Sequence, residues 1–483
     1  MLARLQIHAG PSAAAFRKHR HILAVLADGR QVIGDAEPQN ALRALLRRRN
    51  LKPKELAKKT LCANLSAGAL VAWRMLDPKH SQFQALASMR AALDLLFAEN
   101  PGEIAIVVPA GANGRHAAEL ALYCAWVNGV ALPERKSKGA RKPLRAIHLY
   151  GVHEAGAFAA LRAQAAGNVL CRELTALPPN ELTPGTYRRR VRALARENNW
   201  KHGEFDFAKL RRMGAGAFCA VAQGSAERDA AIVHLRYSNA KAKRTVALVG
   251  KGICYDTGGH NLKPARYMFG MHEDMNGSAV ALGILLAATR LKLAVNIDCW
   301  LAISRNDISP RAYHQNEVVR ALNGTTIEIT HTDAEGRMVL ADTLTLASRK
   351  KPDLMVDFAT LTGSMHVALG NRYTGAFATS DELAARAVAA GRKTGERMCM
   401  FPLDDDYDDA LDSKIADVKQ CTLEGDADHI LAARFLKRFT ADTPWLHVDL
   451  SASSCKGGLG AVASDLTGFG VLWGVAMLEA TRA

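Results

Sequence analysis

The segment ITHTDAEGRMVLADTL, residues 329–344, contains Asp333, Glu335 and Arg337 at alternate positions directly after an apolar, β-branched run. In a strand, alternate side chains point to the same face, so an extended backbone here would crowd two carboxylates and a guanidinium together. Carboxylates that lie so close repel each other unless a cation or a shared proton compensates their charge. The spacing therefore predicts a bound positive charge at this point of the chain.

Two further segments carry similar groups next to predicted secondary structure. In VGKGICYDTGGHNLKP, residues 249–264, Lys251 lies between two glycines directly after a predicted strand, and Asp256 and Lys263 follow. The glycines allow the backbone to turn sharply and to approach a ligand closely. In MHEDMNG, Asp274 stands just before a predicted helix. Together the three segments supply four carboxylates and three cations, namely Asp256, Asp274, Asp333, Glu335, Lys251, Lys263 and Arg337.

This carboxylate-rich set favours a site for two divalent cations. Asp and Glu oxygens suit Mn, Mg or Zn, and a metal pair can activate water and polarise a carbonyl group. A lysine ligand has to be neutral, which nearby positive charge allows by lowering the lysine pKa. A structural ion-pair network uses the same residue types, but burying so many charges gives little net stability.

Motifs and composition argue against several other classes of protein. The sequence contains no GxxxxGK[ST] P-loop, no GxSxG serine-hydrolase motif and no HExxH zincin motif. Its nine cysteines are scattered and form no CxxC pair, which is typical of reduced thiols in the cytosol. The longest apolar stretch, Gly277–Thr289, is far shorter than the roughly 20 residues of a membrane span. We therefore expect a cytoplasmic protein with no membrane segment.

The net charge of +16 leaves a second class of function open, because much of the basic clustering lies early, at residues 47–59 and 135–145. Basic patches can hold phosphate backbones, although no aromatic residues interleave these patches as single-strand binding prefers. A DNA-binding accessory role of the first domain is therefore the alternative function. The basic, alanine-rich start of the chain resembles a transit peptide, but we expect a first strand and helix instead.

Strand and helix patterns alternate along the chain, which predicts an α/β fold. The predicted strands cover residues 102–110, 144–151, 244–250, 294–302, 325–330 and 353–363. The predicted helices cover residues 116–129, 155–176, 277–292 and 338–350. Such alternation is typical of βαβ units in a mostly parallel sheet flanked by helices. In open sheets of this kind, functional groups gather beyond the carboxyl ends of the strands.

A chain of 483 residues is too long for one ordinary core, so we expect two α/β domains. A smaller, basic N-terminal domain is predicted over residues 1–165. Residues 166–186 then form a linker helix and a proline-rich entry, which includes the sequence LPPNELTP. A larger C-terminal catalytic domain is predicted over residues 187–483.

Several spaced motifs, in order, resemble those of the leucyl aminopeptidase, or cytosol aminopeptidase, family. They are VGKGICYDTGG…LKP, EDMNGSA, HTDAEGRMVLAD, ATLTG and, at the domain entry, ALPPNELTP. The motif-bearing resemblance runs from about Val169 to the C-terminus. Two positions depart from the family pattern: His331 replaces the Asn of the NTDAEGR signature, and Asn276 stands where the family has a small residue.

The resemblance implies a role for each matching position. Asp256 and Glu335 would be shared between two metal ions, whose full ligand set would be Lys251, Asp256, Asp274, Asp333 and Glu335. Lys263 would stabilise the oxyanion of the tetrahedral intermediate, and Arg337 would hold a bicarbonate ion that acts as general base. The first side-chain pocket would be lined by Met271, Thr360, Leu361, Gly363, Ala463 and Leu466.

The activity implied by the resemblance is removal of the N-terminal residue of a peptide, with Leu- or Met-like residues preferred. The implied cofactors are two divalent ions per subunit, Mn or Zn with Mg or Co as further candidates, and bicarbonate. The family is typically a homohexamer. Processing of cysteinyl-glycine dipeptides would use the same chemistry on a different substrate.

Overall fold

The computed structural model describes residues 1–9, 13–27, 35–154 and 156–480, and it divides into two compact units. The first unit comprises Met1–Val169, Arg392–Gly395 and Cys455–Thr467. The second unit comprises Leu170–Gly391, Glu396–Ser454 and Gly468–Ala483. Helix α5 (Ala159–Thr175) carries the chain from the first unit into the second.

The first unit is built on a six-stranded sheet. Its strands are β1 (Arg4–His8), β2 (His21–Leu26), β3 (Leu61–Asn64), β4 (Leu70–Met75), β5 (Glu103–Val107) and β6 (Ala146–Tyr150). Its helices are α1 (Ala13–Lys18), α2 (Ala36–Arg48), α3 (Gln82–Phe97) and α4 (Ala112–Asn128), with a 3₁₀ helix over Pro53–Ala57. The strand order is β1-β6-β5-β2-β4-β3, and every neighbouring pair is parallel except β3 with β4.

The second unit contains an eight-stranded sheet and a small three-stranded one. Its strands are β7 (Lys201–Asp206), β8 (Ala231–Tyr237), β9 (Thr245–Asp256), β10 (Asn296–Asn306), β11 (Val318–Arg320), β12 (Thr326–Glu328), β13 (Leu354–Ala359), β14 (Thr374–Ala378), β15 (Met398–Met400), β16 (Val418–Lys419) and β17 (Trp445–Asp449). The large sheet has the order β15-β14-β17-β13-β9-β10-β8-β7, and the small one β11-β12-β16. At its centre, β9 is parallel to both β13 and β10, so the predicted mostly parallel α/β sheet is confirmed.

Helices lie between these strands along the chain. They are α6 (Pro184–Glu197), α7 (Phe207–Met213), α8 (Gly216–Ala222), α9 (Ala265–Met268), α10 (Asn276–Arg290), α11 (Glu335–Ser348), α12 (Gly363–Leu369), α13 (Asp381–Thr394), α14 (Asp428–Lys437) and α15 (Val471–Ala480), with 3₁₀ helices over Met271–Glu273 and Asp405–Leu411. In the part of the chain that the structure describes, every helix is too short or too polar to cross a bilayer.

Two local predictions were wrong. Strand β9 does not end at Gly250 but continues to Asp256, so Lys251 lies inside the strand. Residues 333–337 are not extended, because β12 ends early and α11 begins at Glu335. In a helix, positions two apart project about 200° from each other, so Glu335 and Arg337 do not share a face. Helix α11 is buried on all sides, so its sequence lacks the alternation of polar and apolar faces from which a helical period of 3.6 residues is recognised.

Candidate metal centre

Close packing of α10 against the central strands brings its N-terminal end to β9. A Cβ atom on Gly250 would lie 2.4 Å from Ser278 Cα, and one on Gly277 would lie 2.1 Å from Phe358 O. Both positions therefore require glycine, because a side chain would push the helix off the sheet. As a result Asp274, which precedes α10, approaches the side chain of Lys251 on β9.

The first cluster surrounds Lys251. Its Nζ lies 2.8 Å from Asp274 Oδ2 and 2.9 Å from Glu335 Oε1, and it donates to Thr360 O at 3.0 Å. Lys251, Asp274 and Glu335 are all buried. A Cβ atom on Gly336 would lie 2.6 Å from Lys251 Cε, so a side chain there would displace the end of the lysine from its carboxylate partners. The Gly of the DAEGR segment thus makes room for the lysine.

The second cluster surrounds Lys263. Its Nζ lies 2.9 Å from Asp256 Oδ2 and 2.6 Å from Asp333 Oδ1. The other oxygen of Asp256 accepts from Asn306 Nδ2 at 2.8 Å and from the backbone N–H of Gly258 at 2.9 Å. Gly258 adopts a φ of +87°, which favours glycine, and this bend returns the chain towards Asp256. These bonds fix the carboxylate at the carboxyl end of β9.

Acidic charge exceeds basic charge in the two clusters, where four carboxylates face two ammonium groups. Burial raises the pKa of Asp274 to about 8 and that of Asp333 to about 7, although the neighbouring lysines oppose both shifts. Burial alone would lower the pKa of Lys251, but Asp274 and Glu335 raise it. The pKa of Glu335 is lowered because Lys251 and Lys263 outweigh its burial. In this arrangement protons and ammonium groups compensate charge that metal ions would otherwise neutralise.

The donor set fits divalent cations. Asp256, Asp333 and Glu335 each offer a carboxylate oxygen, and these oxygens lie within 4.8 Å of one another. Among the described residues, Glu335 Oε2 is buried with no hydrogen-bond partner. An unpartnered carboxylate oxygen facing other carboxylates is costly unless a cation binds it. Carboxylate oxygens together with one lysine nitrogen suit hard or borderline ions such as Mn, Mg or Zn.

Arg337 lies in a different environment from the other predicted residues. Its Nη1 donates to Gln420 O at 3.1 Å, and its Nη2 donates to Asp428 Oδ1 at 2.7 Å. Its Nε is buried without a hydrogen-bond partner in the described part of the chain. These bonds use two of the five N–H groups of the guanidinium, so a role for Arg337 in holding bicarbonate stays a prediction.

The comparisons with known proteins identify the family. A profile of the cytosol aminopeptidase family catalytic domain matches residues 169–473, which is more than half of the chain. The chain belongs to the cytosol aminopeptidase family. The predicted resemblance is thereby confirmed, as is the prediction of a metallopeptidase-class hydrolase.

Relatives of the cytosol aminopeptidase family match most of the chain. A probable cytosol aminopeptidase of Afipia carboxidovorans is 38% identical over 382 residues, which are 77% of this chain and 75% of that relative. One of Nitrobacter winogradskyi is 40% identical over 321 residues, which are 65% of this chain and 63% of that relative. Among solved structures, the bottromycin maturation enzyme BotP in complex with Mn has a TM-score of 0.83 and 31% identity, covering 96% of this chain and 100% of that one.

Two of the predicted pocket residues, Thr360 and Leu361, lie on the loop after β13, and a third begins the helix that follows. Thr360 O accepts from Lys251, and Thr360 Oγ1 donates to Asp274 Oδ1 at 2.7 Å. Leu361 N donates to Asp449 Oδ1 at 3.0 Å, and Gly363 begins α12. Met271 begins the 3₁₀ helix that precedes Asp274.

The other two predicted pocket residues belong to the segment Cys455–Thr467 of the first unit. There Ala463 N donates to Asn128 Oδ1 at 2.8 Å, and Leu466 O accepts from Ser464 Oγ at 2.6 Å. A place for Ala463 and Leu466 in the substrate pocket stays a prediction.

Both departures from the family pattern have protein partners. His331 Nδ1 accepts from Asp333 N at 3.3 Å, and burial together with Lys263 lowers its pKa. A neutral imidazole that accepts this bond supports the interpretation that His331 orients the metal-site backbone. Asn276 Nδ2 donates to Thr175 Oγ1 at 3.1 Å on α5. This bond gives Asn276 a packing role beside α5.

Sequence reasoning missed two side chains that the structure brings to these residues, Asn306 and Asp428. Asn306 ends strand β10, so its position at a strand terminus beside β9 was an available signal. Asp428 is separated from Arg337 by 91 positions along the chain, and no local pattern links the two.

Proposed function

We propose that this chain is a dinuclear metal aminopeptidase that releases the N-terminal residue of peptides. The observation that carries the proposal is the pair of lysine–carboxylate clusters, in which acidic groups outnumber ammonium groups. The proposed metal ligands are Lys251, Asp256, Asp274, Asp333 and Glu335. Divalent ions supply Lewis acidity, which polarises a carbonyl oxygen and makes water a nucleophile near neutral pH.

Lys263 has the main role among the residues that act on the substrate. Its ammonium lies between Asp256 and Asp333, so it can donate to the carbonyl oxygen as that oxygen gains negative charge. Two neighbours hold the ligands in place: Thr360 Oγ1 donates to Asp274, and Asn306 Nδ2 donates to Asp256. Such outer hydrogen bonds orient ligands and tune a metal site.

The proton acceptor in this proposal is Asp428. Its carboxylate is held by Arg337 Nη2 at 2.7 Å and remains 25% exposed, so it can receive a proton from solvent or substrate. The resemblance implied bicarbonate in this role. Bicarbonate contacting Arg337 Nε is the competing candidate, and we derive no step through it. The observation that favours Asp428 is its 2.7 Å bond to Arg337 Nη2, which holds a partly exposed carboxylate on the residue to which the resemblance assigns bicarbonate.

The proposed substrate is a peptide with a free α-amino group and a Leu- or Met-like first residue. Met271, Thr360, Leu361 and Gly363 would line the side-chain pocket. An apolar pocket discriminates one methylene by only about 1–3 kcal/mol, so we expect a preference rather than strict selectivity. The same reaction would also hydrolyse cysteinyl-glycine dipeptides.

The remaining parts of the proposal come from the resemblance. We propose Mn or Zn as the working ions, with Mg or Co as substitutes, and the relative BotP in complex with Mn supports Mn. A cytoplasmic location and a homohexamer are proposed on the same ground. The DNA-binding alternative rested on the basic charge of the first domain, and no contact described above adds to it.

The test is a metal add-back assay. Metal-stripped protein is mixed separately with Mn, Zn, Mg and Co and assayed on dipeptides that begin with Leu, Met or Cys. We expect activity to return with Mn or Zn, to be absent in Asp333→Ala, and to persist in the exposed control Asp412→Ala. Folded protein that turns over none of these dipeptides with any ion would contradict the proposal.

A further inference from the structure

Three histidines converge in the first unit, whereas the candidate metal centre lies in the second. His8 ends β1, His148 lies on the neighbouring strand β6, and His19 stands just before β2. Each offers one ring nitrogen, and these three nitrogens lie within 4.8 Å of one another. His8 Nε2 lies 3.0 Å from His148 Nδ1, and the rings of His19 and His148 are centred 4.2 Å apart. The sheet register therefore collects three imidazoles that are far apart in sequence.

A carboxylate stands beside this group. Glu103, the first residue of β5, places Oε2 3.5 Å from His148 Nε2 and Oε1 4.0 Å from His19 Nδ1. These two ring nitrogens are buried and lack a hydrogen-bond partner among the described residues. Histidines that ligate a metal usually present their second ring nitrogen to a carboxylate, which fixes the ring. Glu103 is placed for this role, and Tyr150 Oη lies 3.0 Å from His19 Nε2.

Two of the three imidazoles are shielded from water. His19 and His148 are each only 8% exposed. Burial, with the neighbouring His148, lowers the pKa of His19 to about 4, and the same causes lower the pKa of His8. Neutral imidazole is the form that ligates a metal ion.

We propose that His8, His19 and His148 bind one transition-metal ion of the zinc class, with Glu103 as the carboxylate that orients the rings. Imidazole ligands suit Zn, Cu, Ni or Fe, in contrast to the carboxylates of the second unit. The ion would join β1 and β6, which are paired, to the segment before β2, which is separated from β6 in the sheet by β5. The site does not depend on the proposed peptidase activity.

The test counts zinc on the full-length chain. The parent protein carries Asp333→Asn and Glu335→Gln, which weaken the carboxylate centre, and it is stripped with a chelator and titrated with Zn²⁺. We expect one tightly bound equivalent that raises the melting temperature. Adding His148→Gln should remove this equivalent, whereas the exposed control His116→Gln should retain it.

A second variant distinguishes loss of zinc binding from loss of folding. His8 is only half-buried, so His8→Gln should stay folded, as circular dichroism will show, and should weaken zinc binding at least tenfold. Equal zinc binding by the parent and by folded His8→Gln or His148→Gln would overturn the proposal, as would a parent that binds no zinc. In the otherwise native chain, His8→Gln should leave dipeptide hydrolysis unchanged.

Discussion

Two buried assemblies of charged side chains lie on neighbouring strands of the second unit, and they differ in their balance of charge. In the first, Asp357 on β13 faces β17, where Oδ1 lies 2.7 Å from His447 Nδ1 and Oδ2 accepts from Trp445 Nε1 at 2.7 Å. Both oxygens of Asp357 are paired, although His447 Nε2 is buried without a hydrogen-bond partner among the described residues. In the second, the candidate metal centre, four carboxylates face Lys251 and Lys263.

The difference separates a structural assembly from a functional one. A buried carboxylate that is paired and hydrogen-bonded is stable without any ligand. An excess of buried carboxylates is tolerated only where a further cation can arrive. Burial and charge therefore do not by themselves mark a site. The excess of carboxylates over ammonium groups does.

The largest expected effect comes from breaking the balanced assembly. Asp357→Asn keeps the volume of the side chain but leaves His447 without its charged partner. Removing one member of a buried ion pair costs about 3–5 kcal/mol, so the free energy of unfolding should fall by that order. Urea unfolding measures this change, with exposed Asp412→Asn as the control. Activity per folded molecule should stay near that of the native chain. A loss of activity without a loss of stability would mean that this assembly is not purely structural.

The next effect comes from the unbalanced assembly and has the opposite character. Lys263→Met keeps the length of the side chain but removes the ammonium between Asp256 and Asp333. Loss of one donor to a developing oxyanion lowers kcat by about 10²–10³. We expect that loss in kcat on a leucyl dipeptide, with the metal content retained. Exposed Lys414→Met should behave as the native chain does, and a kcat within twofold for Lys263→Met would exclude the oxyanion role.

The sequence could predict the unbalanced assembly better than the balanced one. Lys251, Asp256 and Asp274 follow or precede strongly apolar segments, so their convergence at one sheet edge was predictable. Asp357 and His447 are separated by 90 positions and look like ordinary strand residues until β13 and β17 pair.

The start of helix α11 could not be predicted from the local residue pattern either. The alternating charges of Asp333, Glu335 and Arg337 have the period of a strand, and Gly336 is a poor helix former. Gly336 instead leaves room for the end of the Lys251 side chain, a contact between residues far apart in sequence. Packing between residues far apart in sequence therefore determines where α11 begins, and a short stretch of sequence does not reveal such packing.

A smaller effect tests how charge is balanced at the edge of the metal centre. Asp428→Ala removes the carboxylate on Arg337 Nη2, so dipeptide hydrolysis in bicarbonate-free buffer should fall by about 10²-fold, the lower end of the usual range for a proton acceptor. Added bicarbonate should partly restore this variant, because the freed guanidinium can hold an external anion. Bicarbonate should also raise the melting temperature of the variant but not that of the native chain.

The matched control for this experiment is exposed Asp426→Ala, which leaves the pair with Arg337 intact. It should show neither the loss nor the rescue. Strong activation of the native chain by bicarbonate would instead assign the anion position to bicarbonate at Arg337 Nε. In that case Asp428 would hold the arginine in place without receiving the proton.

The smallest effect concerns the pH dependence of the balanced assembly. Burial alone would lower the pKa of His447, but Asp357 raises it above 6.5. Between pH 6.5 and the folded-state pKa, the folded chain keeps a proton that the unfolded chain has lost. Stability from this pair is therefore complete below about pH 6.5 and declines as the pH rises, by at most about 1.4 kcal/mol per unit. Urea unfolding of Mn-loaded protein across this window should show the decline, and Asp357→Asn should flatten it. An unchanged slope in that variant would mean that His447 is neutral in both states, and the assembly would then be held by hydrogen bonds alone.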